Sequence, residues 1–193
     1  HVIDSISGGG AEKIVRNLVQ KNNSKINFLQ DYHELSPHKF SFIKFFVSTF
    51  YLFKRINLLK KQGYEIIFHA HLTKAIYLSI FARLYKCKIV ITEHNTWNKR
   101  RKFKILKPIE YSIYHNAEFV ISISNAVKDN LLKWLRLDNT NNTKFQVIYN
   151  GISNNYINSK KKILENKKGV KLLIVGSLTY QKGIDLSLNL LRN

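Results

Sequence analysis

The chain of 193 residues carries 32 lysines and arginines against 12 aspartates and glutamates, a net charge of +20, and 45% of its residues are hydrophobic. This composition excludes a disordered chain, and the single cysteine, Cys87, excludes an internal disulfide and a cysteine-cluster metal site. The positive charge favours polyanionic partners: nucleic acid, anionic lipid or phosphorylated small molecules.

The chain opens on an apolar run, residues 1–6, followed by Gly8–Gly10 and by a helical pattern that starts at Ala11. This order predicts a strand, a glycine turn and a helix. Bare glycines leave the N–H groups of the first helical turn accessible, which favours a phosphate site. A tight connection without a ligand is the alternative. The dinucleotide fingerprint is excluded, because its third glycine would stand at Lys13.

The next part of the chain predicts a second strand at 26–29 and a loop at 31–39. Residues 40–53 are almost all apolar or aromatic, a basic stretch at 54–61 follows them, and Gly63 ends the predicted helix. The apolar run is shorter than the ~20 residues that span a bilayer. It fits either a buried helix or an interfacial helix whose lysines meet anionic lipid.

From residue 65 to residue 149, apolar strands alternate with helices. The predicted strands are 65–71, 88–94, 119–123 and 145–149, and the predicted helices are 73–85, 109–115 and 125–135, the last with Ser124 as its N-cap. This pattern predicts an α/β fold with a Rossmann-like parallel sheet that has helices on both faces. Ligands of such sheets bind outside the carboxyl ends of the strands. We therefore expect Gly8–Gly10, His71, His94 and Ser124 to converge.

Asn150 and Gly151 interrupt the pattern, and the stretch at 154–168 is polar and lysine-rich. A further apolar strand, a glycine turn at 176–183 and a helical pattern follow. The predicted organisation is an N-terminal domain at 1–150, a linker at 151–169 and the truncated start of a second domain at 170–193. Because the chain opens inside an apparent strand and closes inside an apparent helix, we expect it to be a fragment.

Histidines and a basic run are the remaining candidates for chemistry. His69 and His71 lie on one face of a strand, and with His94 they have the residue types of a three-histidine zinc site. No carboxylate motif accompanies them, so we expect no metal and instead assign His71 and Lys74 to acceptor binding. The run 97–104 is either a solvated loop or a contact with an anionic acceptor or membrane. The residues assigned to that contact are Trp97, Lys99, Arg100 and Arg101.

Five short motifs follow one another along the chain. They are Gly9–Glu12, Thr92–Asn95, Ser122–Val127, Val147–Ile152 and Gly176–Gly183. In this order and at these separations they resemble glycosyltransferase family 4. The resemblance implies a GT-B architecture, in which two Rossmann-like domains face each other across a cleft and are joined by a hinge at Asn150 and Gly151.

The resemblance further implies a retaining, hexosyltransferase-type transfer from a UDP- or GDP-sugar to a lipid-linked or polysaccharide acceptor, without a metal or other cofactor. It implies surface polysaccharide or lipopolysaccharide synthesis, by a cytoplasmic protein that is peripheral at the inner face of the cell membrane. We expect the fragment alone to be inactive. The alternative is a noncatalytic basic module that binds anionic membrane or nucleic acid, although no nucleic-acid-binding motif organises its charges.

Residue roles follow from the same resemblance. His94 stands where the family places a catalytic histidine beside the donor sugar. Lys182, Gly9 and Gly10 match groups that bind the donor diphosphate, and Ser177 stands there where the family often has arginine. Glu110 and Glu118 repeat the spacing of a glutamate pair of the family. They belong to the first domain, and we interpret that match as chance.

Overall fold

The computed structural model describes residues 1–4, 9–21, 33–34, 42–138, 143–151, 173–174, 176 and 183–190. The chain divides into two compact units, His1–Gly151 and Ile152–Asn193. In the second unit the described helix is α6, Ile184–Leu190, whose three leucines are exposed. Apart from Gly151, the predicted linker at 151–169 lies outside the described residues, as does nearly all of the strand and turn that follow it.

One six-stranded, all-parallel sheet forms the first unit, with strand order β2-β1-β3-β4-β5-β6. Its strands are β1 Val2–Ile3, β2 His33–Glu34, β3 Ile67–His71, β4 Lys88–Glu93, β5 Phe119–Ser122 and β6 Phe145–Val147. The α/β prediction with a Rossmann-like parallel sheet is therefore confirmed. The strand order reverses between β1 and β3, which is where doubly wound sheets place their ligands.

Helices connect these strands and flank the sheet. They are α1 Gly10–Lys21, α2 Phe42–Lys61, α3 Leu72–Leu84, α4 Lys107–His115 and α5 Asn125–Leu135. Two of the predicted end signals are confirmed. Gly63, with φ +89°, lies two residues beyond the end of α2 and donates its N–H to the carbonyl of Lys60. The Ser124 hydroxyl accepts the N–H of Val127 at 3.3 Å and so caps α5.

The predicted loop at 31–39 is wrong at its centre, because β2 lies there. His33 and Glu34 pair in parallel with Val2 and Ile3 of β1. A two-residue strand has no periodicity of its own, so its conformation follows from this long-range pairing. The strand predicted at 26–29 lies outside the described residues.

A hydrophobic core joins the sheet to α2, α3, α4 and α5. Central residues of this core come from β3, β4 and β5 and are Phe68, Ala70, Ile89, Ile91 and Val120. The interpretation of 40–53 as a buried helix is correct for one side of α2 only. Leu52 and Phe53 are buried, whereas Phe46, Phe50 and Tyr51 are more than half exposed. None of the described helices is long and apolar enough to cross a membrane.

Candidate functional site

The candidate site lies at the carboxyl edge of the sheet, around the switch between β1 and β3. His71 is the last residue of β3, and it pairs with Ile3 of β1 on one side and with Thr92 of β4 on the other. His94 follows β4, and α1 begins at Gly10. The parallel register thus gathers residues from three separate segments, as the sequence pattern predicts.

Asp4, the first residue after β1, holds the start of α3 against this edge. Its two carboxylate oxygens accept the N–H groups of Lys74 and Ala75 at 3.1 and 3.0 Å. Burial raises the pKa of Asp4, although these two hydrogen bonds lower it. Leu72 begins α3 in the left-handed region, with φ +66°, a conformation that L-residues rarely adopt away from functional sites. The β3–α3 corner is therefore sharply bent and tied to β1.

His71 is at the centre of a chain of imidazoles. Its side chain is buried, its Nε2 lies 3.0 Å from Nδ1 of His1, and its Nδ1 lies 3.1 Å from Nε2 of His94. Burial holds the pKa of His71 well below 6.5, and the neighbouring imidazoles lower it further. His71 is thus neutral at physiological pH, and both of its ring nitrogens face other histidines.

His94 presents an uncommitted polar atom at this edge. Its Nδ1 is buried and has no hydrogen-bond partner among the described residues. Burial lowers the pKa of His94, while the charges of Glu93 and Glu12 raise it. A buried polar atom without a hydrogen-bond partner costs free energy, so a hydrogen bond from this atom to a bound ligand would be stabilising.

His69 precedes His71 by two residues on β3, and its Nε2 is 2.7 Å from the hydroxyl of Thr92. Burial lowers the pKa of His69 to about 3. Together, His1, His69 and His71 place one ring nitrogen each within 4.8 Å of the others. The sequence pattern names His94 as the third member of such a set, and the structure brings in His1. The register of β1 on β3 is the reason, since it pairs Val2 with Ala70 and thereby sets His1 beside His69.

Gly9 and Gly10, at the start of α1, differ in the space available for a side chain. A side chain at Gly9 would collide with the carboxylate of Glu12, which lies 2.4 Å from the position of an added Cβ. A side chain at Gly10 would meet no atom of the described residues within 4 Å. Glu12 also supplies the acidic residue of the first turn of α1, which complements the positive helix end. Gly8 and the two further residues assigned to the donor, Ser177 and Lys182, lie outside the described residues.

The basic run folds inward at Arg100 and Arg101. Arg100 forms ion pairs with Glu93 at 2.9 Å and with Glu110 at 2.5 Å, and Arg101 forms pairs with the same two carboxylates at 3.1 and 3.5 Å. Both arginine side chains are only about a tenth exposed. Their charges neutralise two buried carboxylates, so the assigned contact with an acceptor or membrane is left with Trp97 and Lys99.

Polar side chains complete this cluster of ion pairs. The hydroxyl of Tyr114 donates to Glu93, and Tyr77 and the indole of Trp134 donate to Glu110 at 3.0 and 2.9 Å. Burial and the charge of Glu110 raise the pKa of Tyr77 to about 12. Burial lowers the pKa of Arg100, but Tyr114 and the two carboxylates raise it, and the balance lies above its ordinary value. The cluster ties the segment after His94 to α3, α4 and α5.

Sequence reasoning missed this cluster because it read the charges as a local run. A usable signal is present in the helical pattern of α4, where Glu110 falls on the same side as Ile113 and Tyr114, which are both buried. Glu110 is fully buried. A carboxylate on a buried helix face requires a cation, and the nearest run of cations along the chain is 99–102.

The other assigned residues lie at the surface or at the end of the first unit. Trp97 is 49% exposed, with Nζ of Lys102 5.4 Å from its ring centroid, and Lys99 is exposed as well. Nζ of Lys74 lies 6.0 Å from the ring centroid of Phe45 in α2. Asn150 and Gly151 are exposed and close the first unit.

A family model described as Glycosyltransferase Family 4 matches residues 20–155, which is well over half of the chain. No curated protein matches the chain significantly.

Proposed function

Since the chain belongs to glycosyltransferase family 4, we propose that it carries the acceptor-side domain of an enzyme that transfers a hexose from a nucleotide sugar to a lipid-linked or polysaccharide acceptor. In this proposal the reaction retains the anomeric configuration and serves surface polysaccharide or lipopolysaccharide synthesis. Donor binding is shared with a second domain that begins at about residue 170.

The observation that carries the proposal is the buried Nδ1 of His94 at the carboxyl edge of the sheet, which has no hydrogen-bond partner in the part of the chain that the structure describes. The other nitrogen of His94 is oriented by His71, which is itself oriented by His1. An imidazole fixed in this way can hydrogen-bond a hydroxyl of the donor sugar and so hold the reacting sugar in position for transfer. His94 is therefore the catalytic residue of the proposal, and His71 is a positioning residue.

The donor diphosphate is assigned to the start of α1. Negative charge accumulates on the leaving diphosphate as the glycosidic bond breaks, and the N–H groups of a helix N-terminus stabilise such charge. The space beside Gly10, where an added Cβ would have no described atom within 4 Å, leaves room for a phosphate group to reach these N–H groups. Lys182 and Ser177, in the predicted turn of the second domain, complete the assigned set.

The acceptor is assigned to Trp97, Lys99 and Lys74. Trp97 and Lys99 are exposed on the segment that follows His94, and the ion pairs of Arg100 and Arg101 anchor that segment from below. An exposed aromatic ring beside a cation suits a sugar attached to a phosphate.

Peripheral attachment to an anionic membrane is assigned to α2. Its exposed apolar side chains lie toward the start of the helix, and basic residues follow them. The apolar ones are Ile43, Phe46, Val47, Phe50 and Tyr51, each at least 47% exposed. Lys54 and Arg55 are exposed directly after them. Such a surface buries aromatic rings among lipid headgroups while its cations meet anionic lipid.

The test of the catalytic assignment is transfer by the full-length protein, measured with a panel of UDP- and GDP-sugars and a lipid-diphosphate-linked or polysaccharide acceptor. His94→Ala is expected to lower kcat by about 10²- to 10³-fold. His115→Ala is the matched control, because His115 is an exposed histidine at the end of α4 and contacts none of the site residues named above. Wild-type kcat in His94→Ala contradicts the catalytic assignment, and the absence of any transfer by the wild type contradicts the function.

The membrane assignment is tested by sedimentation with vesicles that contain anionic or only zwitterionic lipid. Phe50→Ser is expected to weaken binding to anionic vesicles, and Phe119→Ser, which changes a half-exposed phenylalanine of β5, is expected to leave it unchanged. Salt-sensitive binding to DNA of any sequence, together with no preference for anionic vesicles, favours the noncatalytic nucleic-acid alternative.

A further inference from the structure

We propose that His1, His69 and His71 form a zinc site at the junction of β1 and β3. The site itself rests on neither the proposed sugar transfer nor the second domain, and it departs from the expectation of no metal drawn from the sequence. Its basis is the convergence of three imidazoles from two neighbouring strands, each with one ring nitrogen within 4.8 Å of the other two.

The geometry of the three rings suits a tetrahedral ion. Zinc binds imidazole nitrogen at about 2.0–2.1 Å, so two nitrogens of one tetrahedral site lie about 3.4 Å apart. Nδ1 of His1 and Nε2 of His71 are already 3.0 Å apart. The ring centroids of His1 and His69 are separated by 4.7 Å, and those of His69 and His71 by 4.2 Å. Side-chain rotations that bring the nitrogens from within 4.8 Å of one another to this spacing complete the set.

The backbone also favours this site. His69 and His71 are two residues apart on β3 and so point to the same face of the sheet. The parallel register of β1 on β3 places His1 beside them. His71 is fully buried, while His1 and His69 are partly exposed, so an ion has a route in from solvent. Three imidazoles leave the fourth tetrahedral position open to water or another ligand.

Partners in the next layer are present as well. A histidine that binds zinc through one nitrogen usually donates its other N–H to a neighbouring acceptor, which fixes the ring. Nδ1 of His71 faces Nε2 of His94 at 3.1 Å. Zinc on Nε2 of His71 therefore requires the proton on Nδ1, which donates to Nε2 of His94.

This arrangement has a consequence for His94. If Nε2 of His94 accepts a hydrogen bond, the neutral ring carries its proton on Nδ1, the buried atom that lacks a partner among the described residues. Zinc would thus hold His94 in a single tautomer with Nδ1–H as a donor. The ion acts through His71 and does not itself touch His94.

The experiment is equilibrium dialysis of the untagged chain in buffered zinc, with the bound metal measured by atomic emission. We expect one ion per chain, and Co²⁺ in place of zinc should give the visible absorption bands of a tetrahedral site. His69→Ala and His1→Ala are each expected to abolish stoichiometric binding. The control His115→Ala should retain it. His94→Ala, which removes only the outer partner, is expected to retain one ion with about 10- to 100-fold lower affinity.

Several results would overturn the proposal. They are no bound ion in the wild type, an unchanged stoichiometry in His69→Ala, and loss confined to His1→Ala, which indicates binding by His1 without the other two histidines. Complete loss in His94→Ala would also overturn it, because His94 would then be a ligand. Far-UV circular dichroism establishes that each variant is folded. Because His1 is partly exposed, His1→Ala provides a folded variant even if His69→Ala unfolds. The ¹⁵N shifts of His94 should in addition report Nδ1 protonation when zinc is added, and no change there refutes the tautomer assignment.

Discussion

Replacing Arg100 by alanine should destabilise the first unit strongly. The guanidinium donates to Glu110 at 2.5 Å, to Glu93 at 2.9 Å and to the hydroxyl of Thr73 at 2.6 Å. Glu110 is fully buried and Glu93 is 3% exposed. In Arg100→Ala, Arg101 is the remaining described cation beside both carboxylates, at 3.1 Å from Glu93 and 3.5 Å from Glu110. The neutral donors of the cluster cannot replace the lost positive charge.

The expected loss in the free energy of unfolding is about 3–5 kcal/mol, which is typical when one partner of a buried ion pair is removed. A domain of this size is stable by about 5–15 kcal/mol, so the loss is a large part of the total. Arg100→Lys should cost about 2 kcal/mol, because a single ammonium keeps the charge but cannot bridge two carboxylates. Lys99→Ala changes an exposed neighbour and should stay within about 0.5 kcal/mol.

Urea unfolding of the three variants measures these differences. Tryptophan fluorescence is a suitable signal because the indole of Trp134 donates to Glu110 at 2.9 Å and so reports on the cluster. If Arg100 instead contacted an acceptor or the membrane, as predicted from the sequence, Arg100→Ala would weaken vesicle binding and leave the stability unchanged. An unfolding midpoint for Arg100→Ala equal to that of the wild type, or reduced vesicle binding without loss of stability, would refute the structural role.

Three further predictions concern other parts of the first unit. The pKa of His69 falls from 6.5 in the unfolded chain to about 3 in the folded one, so its contribution to stability is present above pH 6.5 and declines on acidification, by about 2 kcal/mol at pH 5. In urea titrations at several pH values, His69→Gln should make this decline less steep. An unchanged dependence of stability on pH contradicts the prediction. Ser124→Ala removes the cap of α5 and should cost about 1 kcal/mol, measured as a lower unfolding midpoint. Gly9→Ala should displace the carboxylate of Glu12 and lower the free energy of unfolding by less than about 1 kcal/mol. Gly10→Ala should leave the stability equal or higher but weaken donor binding. Intact donor binding in Gly10→Ala would contradict the assignment of the diphosphate to this turn.

Much of the fold is readable from the sequence, because the relevant signals are local. Continuous apolar runs separated by helical patterns predict the parallel sheet, and the bounds predicted for α5 agree with the structure to the residue. The family also follows from short motifs whose order is a property of the chain alone. The prediction fails at β2, where two residues take their conformation from β1.

The candidate site is likewise predictable from the sequence only in part. That His71 and His94 meet is predictable, since both end parallel strands and such ends share one edge of the sheet. That His1 joins them depends on the register of β1 against β3, which no local pattern specifies. Sequence spacing therefore identifies two of the three proposed zinc ligands.

By itself, the sequence determined the fold class, the order of the elements and the family, because hydrophobic periodicity, capping residues and motifs act over a few neighbouring positions. The tertiary structure alone decided what the charges and aromatic side chains do. Arg100 and Arg101 read as a solvated run until Glu93 and Glu110 are placed opposite them, and Phe50 reads as core until α2 turns it outward. Whether a charge or an aromatic ring meets water or protein depends on what packs against it, and these partners come from distant parts of the chain.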